Sequence, residues 1–306
     1  MAPPAEDPPS SAEDRKAAKA RARAKVSQRL EFVDVAAEMT PYIAVTSGAA
    51  TYIVGTSGDH IGRDLFAKQA RKEMRVLDKA LSVLDAGARP ERGVFVDAGA
   101  HIGTTSIHAL IEHGFARAVC LEPDEEHLRL LRVNSLMNGL DGRLRVVEAA
   151  ASDRDGFAEL DLGPSSSAQL ALVPAGADPP GQTSPVRTAT LDALCAEGII
   201  EPAEVSVLWM DVEGHEGHVL AGAKGLLERR VPAVLEFCPR LLADAGGLET
   251  LTRLVSETYT HVLDLKLRWT DEPPLVPVAE VAALVDTYGS DGAHPEFTDL
   301  LFVARD

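Results

Sequence analysis

The sequence contains no run of about 18 apolar residues, so no segment reads as a bilayer-spanning helix. Its first stretch, Met1-Ala-Pro-Pro-Ala-Glu-Asp-Pro-Pro, lacks the apolar core of a secretory signal, and a cytoplasmic setting is expected. Cysteine is scarce. Cys120, Cys195 and Cys238 lie far apart, without metal-ligand spacing or an evident pairing, and read as buried free thiols of a reducing compartment. Positive charge is also short. Thirty lysines and arginines against 47 acids leave a net charge of −17, which argues against a nucleic-acid substrate, because phosphates need a basic surface.

What is present suits one substantial core. The 306 residues are 45% hydrophobic, enough for a decorated α/β domain. Residues 1–12, rich in proline and acid, are expected to be a disordered tail. Arg15, Lys16, Lys19, Arg21, Arg23, Lys25 and Arg29 then form a basic, alanine-rich run. It reads as a solvated helical extension or as an arm for an acidic partner, and a homodimer contact through this helix is an expectation. The helix should cover 13–39 and stop before Thr40-Pro41, since proline disfavours helix in its predecessor. Two β-like runs, 42–46 and 51–55, flank Ser47-Gly48-Ala49-Ala50 and predict a hairpin. Over 61–84, Leu65, Phe66, Met74, Leu77, Leu81 and Leu84 fit a helical face with a break. Residues 13–90 thus read as an extension of helix, hairpin and helices.

From Val94 strands and helices alternate. Strands read at 94–98, 117–121, 144–149, 205–210, 232–237, 260–265 and 299–304, and helices at 103–113, 124–138, 215–229 and 247–257. Such alternation implies right-handed βαβ units in an α/β fold, Rossmann-like and doubly wound, with a mostly parallel seven-stranded sheet over 91–306. Further β segments are expected near 157–162 and 185–189. Between them, 163–184 is rich in Ser, Pro and Gly and reads as a long surface loop, either a lid or disordered.

The most informative stretch is Val94-Phe-Val-Asp97-Ala-Gly99-Ala-His101-Ile-Gly103, a buried strand running into a glycine turn and a helix. This geometry lets a ligand approach the backbone at the carboxyl edge of a sheet. Taken alone, it also fits a nicotinamide-dinucleotide fold or a plain strand–helix corner. The turn is not Gly-x-Gly-x-x-Gly, however, and an acid precedes its glycines. A carboxylate there repels a pyrophosphate and suits a ligand bearing ammonium and sulfonium groups. The next strand ends in Glu122-Pro123-Asp124, with Glu122 placed 25 positions after Asp97, where a doubly wound fold puts the acid that binds ribose hydroxyls. The alternative is a solvated acid at a helix start, with Asp124 as the N-cap.

These blocks resemble the FkbM-type methyltransferase family, within the Rossmann-like enzymes that use S-adenosylmethionine. The resemblance covers roughly 52–303. It rests on Val96-Asp-Ala-Gly-Ala-His-Ile-Gly103, on Leu121-Glu-Pro-Asp124 with Asn134 and Asn138, and on Thr190-Leu-Asp192. It rests further on Trp209-Met-Asp211-Val-Glu213-Gly-His215-Glu216, Val219-Leu-Ala-Gly222-Ala and Val234-Leu-Glu236. One departure is His101, where the family usually has asparagine. The resemblance implies that Asp97 and the backbone of Gly99, Ala100, His101 and Gly103 hold the methionine part. It implies that Glu122, with Pro123 and Asp124 beside it, takes the ribose. Ala150, Ala151 and Ser152 would flank the adenine, offering an apolar face to a flat ring.

Methyl transfer is a direct displacement, so the reacting end must place an acceptor and, for a hydroxyl, remove its proton by a base or a metal. Asp211 ends the strand after the long loop, Glu213 and His215 occupy the following turn, and Glu236 ends the next strand. Asp211 is expected to orient the acceptor or the cofactor amine, and His215 is the expected neutral base or, alternatively, only a turn residue. Glu213 and Glu236 would bind acceptor hydroxyls, or join Asp211 in holding Mg²⁺. Glu213 has a second reading as a helix cap, and Glu216 reads as a structural contact at the helix terminus. The pair His215 and His218 is spaced by three rather than four and does not match the zinc-protease pattern. His108 and His113 read as solvent-facing or packing residues of the first core helix. Asp59, His60 and Arg63, in a glycine-rich stretch ahead of the core, are candidates to contact the acceptor, or form a mere connecting loop.

The expectation is therefore an O-methyltransferase acting on a small-molecule hydroxyl, in the tailoring of sugars, polyketides or similar natural products. N-methylation is the alternative chemistry. A cofactor-binding partner protein without chemistry is the alternative class, against which the intact Asp97, Glu122, Asp211 and Glu236 speak.

Overall fold

A strand buried on both faces sets the architecture. The computed structural model describes residues 11–57, 60–85, 92–162, 172, 181–289 and 296–305. The N-terminal part comprises α1 (Ala12–Ala37), the hairpin β1 (Tyr42–Ser47) and β2 (Ala50–Gly55), α2 (His60–Lys68) and α3 (Lys72–Leu84). The first strand–helix units are β3 (Val94–Ala98), α4 (Thr104–Glu112), β4 (Arg117–Glu122), α5 (Glu125–Met137) and β5 (Leu144–Glu148). Three short strands, β6 (Ala150–Ala151), β7 (Gly156–Asp161) and β8 (Thr183–Ala189), precede α6 (Leu191–Ala196), β9 (Val205–Met210), α7 (Glu216–Ala221) and α8 (Lys224–Glu228). The chain ends with β10 (Ala233–Phe237), α9 (Pro239–Asp244), α10 (Leu248–Thr258), β11 (His261–Asp264), β12 (Val276–Pro277), α11 (Val281–Tyr288) and β13 (Thr298–Val303).

The large sheet runs β12-β11-β13-β10-β9-β3-β4-β5. The five strands from β10 to β5 are parallel, and β13 lies antiparallel between β10 and β11. All seven strands expected from sequence are present. The sheet has an eighth, β12, whose two residues include a proline and carry no alternation that could announce a strand. Strands β6, β8 and β7 form a separate small sheet.

Alternation along β3 sends Val94, Val96 and Ala98 into one core with Leu191, Leu226, Leu251 and Val255. Phe95 enters the other, with Leu77, Leu81, Ile107, Leu131 and Tyr52. Helices therefore cover both faces, as a parallel sheet requires. The hairpin and α3 share that second core and so pack against the sheet. Asn134 and Asn138, one turn apart on α5, secure the hairpin. Their side-chain oxygens accept the Ile53 and Thr51 N–H groups at 2.6 and 2.9 Å, and the Asn138 amide donates to the Thr51 carbonyl at 2.7 Å. An edge strand's open hydrogen bonds are thereby closed by side chains.

The helix expected over 215–229 is two, α7 and α8, parted at Gly222. A Cβ there would fall 2.1 Å from the Ser152 carbonyl oxygen, so the backbone passes too close for any other residue. Asp192 accepts the Lys224 and Gly225 N–H groups at the start of α8, and Thr190 caps α6. The Thr190-Leu-Asp192 block is thus a packing device.

In the basic helix α1, Ser11 and Asp14 form a capping box, so the helix starts within the stretch expected to be a tail; residues 1–10 of that stretch lie outside the described residues. Residues 13–25 are exposed throughout and present alanine and charge but no large apolar side chain. Only the last turns pack, through Arg29 on the Ala67 carbonyl and Gln69 and an Asp34–Arg63 ion pair at 2.6 Å. No described helix is long and apolar enough to cross a membrane.

Candidate active site

The carboxyl ends of β3, β4, β9 and β10 meet on one edge, where a doubly wound sheet forms its ligand crevice. A cavity with about 660 Å³ of empty space, its mouth included, opens there. One end is lined by Gly99, His101, Leu121, Glu122, Pro123 and His127, the apolar wall by Ala150, Ala151, Leu160 and Leu172, and the other end by Asp211, Val212, Glu213 and His215.

Gly99 makes the first turn possible. Its φ is +86°, and a Cβ would lie 1.9 Å from the Asp211 carbonyl oxygen. His101 also has a left-handed backbone, φ +50°. Asparagine and histidine are both enriched in that region, so His101 preserves the turn despite departing from the family's asparagine. Its ring lies against His127, centroids 3.9 Å apart, and neither of its nitrogens has a protein partner. Burial, then His127, holds its pKa well below the usual value, so the ring is neutral at pH 7.

Glu122 is 5% exposed, and each of its oxygens accepts one backbone N–H, from His101 at 2.8 Å and from Asp124 at 2.9 Å. Lone pairs remain on both oxygens for a ligand hydroxyl. Asp97 sits below the floor rather than in the cavity wall, 1% exposed. The Ser106 hydroxyl donates to its Oδ2 at 2.5 Å, and its Oδ1 is buried without a partner. Burial pushes its pKa to about 7. Asp124 caps α5 by accepting the His127 N–H at 2.9 Å, and with Ala100, Gly103 and Ser152 it is absent from the lining.

The reacting end concentrates carboxylates. Oxygens of Asp211, Glu213 and Glu236 lie within 4.8 Å of one another. Glu236 stands opposite Asp299 across the β10–β13 ladder, and Lys72, reaching in from α3, pairs with Asp299 at 2.7 Å. Burial and the neighbouring acids hold Asp211 and Glu236 well above the carboxylate range, with Lys72 opposing the shift at Asp211. Burial, with Glu216 behind it, pushes Glu213 to about 7. Glu213 has φ +53° and does not cap α7; His215 occupies the N-cap position. The cap reading falls, because the left-handed turn leaves Glu213 in the cavity lining. Glu216 instead closes the turn, accepting the Val212 N–H at 3.0 Å.

His215 is shifted away from the near-neutral range its residue type suggests. Burial and stacking on His218, at 4.3 Å, push its pKa down to about 4, and its Nε2 lies 3.0 Å from the Ser152 hydroxyl. His218 in turn contacts the Ala245 carbonyl at 2.9 Å and Asp153 at 3.4 Å, so the two rings form a structural pair. Arg63 is held by Asp34 and does not reach the lining; Ile61, two residues earlier, does. Asp59 and the His60 side chain lie outside the described residues. Of the segment expected as a lid, Leu172 bridges to Leu160 and lines the cavity, while 163–171 and 173–180 lie outside the described residues. Sequence reasoning missed Lys72, Glu73 and Asp299, which surround the carboxylates from remote parts of the chain. It also missed His127, which one helical turn after Asp124 could have been found.

Fold and cavity together define a Rossmann-like α/β protein with a nucleoside-type crevice joined to an acidic end. The Methyltransferase FkbM domain matches residues 97–265, and the chain belongs to that methyltransferase family. Over 179 residues it is 30% identical to the 2-O-methyltransferase NoeI of Sinorhizobium fredii, covering 54% of this chain and 70% of that one. The Methyltransferase FkbM structure from Methylobacillus flagellatus KT aligns over 78% of this chain at TM-score 0.44 and 16% identity. The chain spans about half, 52%, of that protein. P. horikoshii TYW2, solved in complex with MeSAdo, aligns over 86% of this chain and 70% of its own, at TM-score 0.41 and 11% identity.

Proposed function

We propose that this protein transfers the methyl group of S-adenosylmethionine to a hydroxyl of a small molecule, in the tailoring of sugars, polyketides or similar products. The observation that carries the reading is one cavity joining the Gly99 turn and Glu122 to Asp211 and Glu213. The residues fit the cofactor. Ala150, Ala151 and Leu160 offer a flat apolar wall for an adenine, Glu122 keeps acceptor capacity for ribose hydroxyls, and the His101 ring nitrogens seek a polar partner. When bound, the cofactor supplies an electrophilic methyl on a sulfonium centre. The name of the relative NoeI, a 2-O-methyltransferase, supports oxygen as the acceptor atom.

Glu213 is the general base of this reading. A carboxylate brought by burial to about 7 is half ionised at neutral pH and takes a hydroxyl proton more readily than an ordinary one. Asp211 and Glu236, both raised by burial and the neighbouring acids, bind and orient acceptor hydroxyls, Asp211 from the cavity lining and Glu236 from beside it. His215 shapes the turn. A second reading rests on the convergence of the same three carboxylates, which provide the oxygen ligands Mg²⁺ prefers and could lower the acceptor's pKa through the ion.

Incubating the enzyme and a metabolite extract with methyl-labelled cofactor, followed by mass spectrometry, tests the proposal. A labelled methyl ether is expected. Its formation should increase as pH rises through about 7, where Glu213 ionises, and should ignore chelator. Loss with chelator and recovery with Mg²⁺ selects the second scheme, a labelled amine replaces oxygen by nitrogen, and a cofactor that does not bind contradicts both schemes.

A further inference from the structure

We propose that Asp78, His108 and His113 form a binding site for a divalent transition metal, zinc by preference, that ties α3 to α4. Asp78 lies on α3, His108 on α4, and His113 closes the C-terminal end of α4. The Nε2 atoms of both imidazoles converge on one carboxylate oxygen, Asp78 Oδ1, at 2.8 and 2.7 Å. The rings stand edge to face, with centroids 5.0 Å apart. Beyond a hydrogen-bonded cluster, the three ligand atoms all lie within 4.8 Å of one another, close enough to share one ion.

Two imidazoles and a carboxylate, with no thiolate, are the donor set of open zinc sites, and they disfavour the all-oxygen cations Mg²⁺ and Ca²⁺. With bonds of about 2.0–2.1 Å, tetrahedral ligand atoms stand roughly 3.3 Å apart, so these three must separate by about half an ångström. The Asp78 side chain, 49% exposed, can swing that far and leaves the fourth position to water. An imidazole that carries its proton on Nδ1 presents Nε2 to an ion. His108 and His113 lie four and nine residues beyond Thr104, roughly 6 and 13 Å along the helix from the glycine turn. The metal is therefore structural, and its binding is independent of the methyl-transfer reading.

The test uses the full chain without a histidine tag, stripped with chelator, then titrated with Zn²⁺ against a chromophoric indicator. One equivalent should be retained and should raise the melting temperature. His108→Gln and Asp78→Asn should each weaken retention by about tenfold or more, while Glu236→Gln, which alters the carboxylate cluster, should leave it unchanged. Melting in metal-free buffer reports whether the variants fold. Independently of any variant, paramagnetic Cu²⁺ should first broaden the imidazole signals of two of the nine histidines. No retained zinc, equal retention in His108→Gln and Asp78→Asn, retention lost in Glu236→Gln alone, or broadening of other histidines first would each overturn the site.

Discussion

The two ends of the cavity are built by different physics. The end at Gly99 and Glu122 is made by backbone. Three left-handed residues, Gly99, His101 and Gly103, and a carboxylate anchored by two N–H groups lie within 28 residues of one another in sequence, from 97 to 124. The end at Asp211 is made by an electrical environment. Asp211, Glu213 and Glu236 meet Glu73 and Lys72 from α3 and Asp299 from β13, groups more than 200 positions apart. A turn is written locally, because glycine and strand pattern dictate it. A pKa is written by burial and by distant charges, and no local motif carries it.

The largest expected effect breaks the acidic end alone. Glu213→Gln should lower turnover by a factor of about 10²–10⁴ while cofactor affinity holds, because the base is lost and the turn is kept. His215→Ala should cost much less. If the order is reversed, burial has not retuned these groups as described. Steady-state rates with saturating cofactor, paired with binding titrations, decide it.

At the other end, Gly99→Ala should destabilise the fold by roughly 2–4 kcal/mol, combining left-handed strain with a collision against the Asp211 carbonyl. Urea unfolding measures this. A change within error would mean that the turn relaxes, and that the two ends are not locked together through that contact.

A smaller effect separates the floor from both ends. The folded pKa of Asp97, about 7, lies above its unfolded value, so its contribution to stability is full below about pH 4 and is lost as pH rises to about 7. Wild type should lose stability relative to Asp97→Asn across that window, by at most about 1.4 kcal/mol per pH unit. Parallel curves for the two proteins would show that Asp97 is ionised when folded.

The same division explains what was legible. The seven main strands, the hairpin and the break in 61–84 follow from periodicity, proline and glycine, while the cavity wall at Ala150-Ala151 was implied by the family resemblance. The two-residue β12 and the short helices α9 and α11 were not legible, because segments so short hold no periodic signal. At the site, Glu122, Gly99 and Asp211 were correctly placed by position along strands. The expected roles of Glu213 and His215 rested on residue type, whereas burial moves the pKa of Glu213 up to about 7 and that of His215 down to about 4, which no local motif carries. Nothing in the spacing of Asp78, His108 and His113 announced that they meet.

The most direct test of the central claim, a cofactor end and a reacting end in one cavity, is calorimetric titration of S-adenosylmethionine into wild type, Glu122→Ala and Glu213→Gln. Binding of one equivalent to wild type is predicted. Glu122→Ala should weaken it by roughly 1.5–3 kcal/mol through lost charge-assisted hydrogen bonds, and Glu213→Gln should leave it unchanged. Equal affinity in Glu122→Ala and wild type, or tight binding of NADH in place of S-adenosylmethionine, would contradict the account.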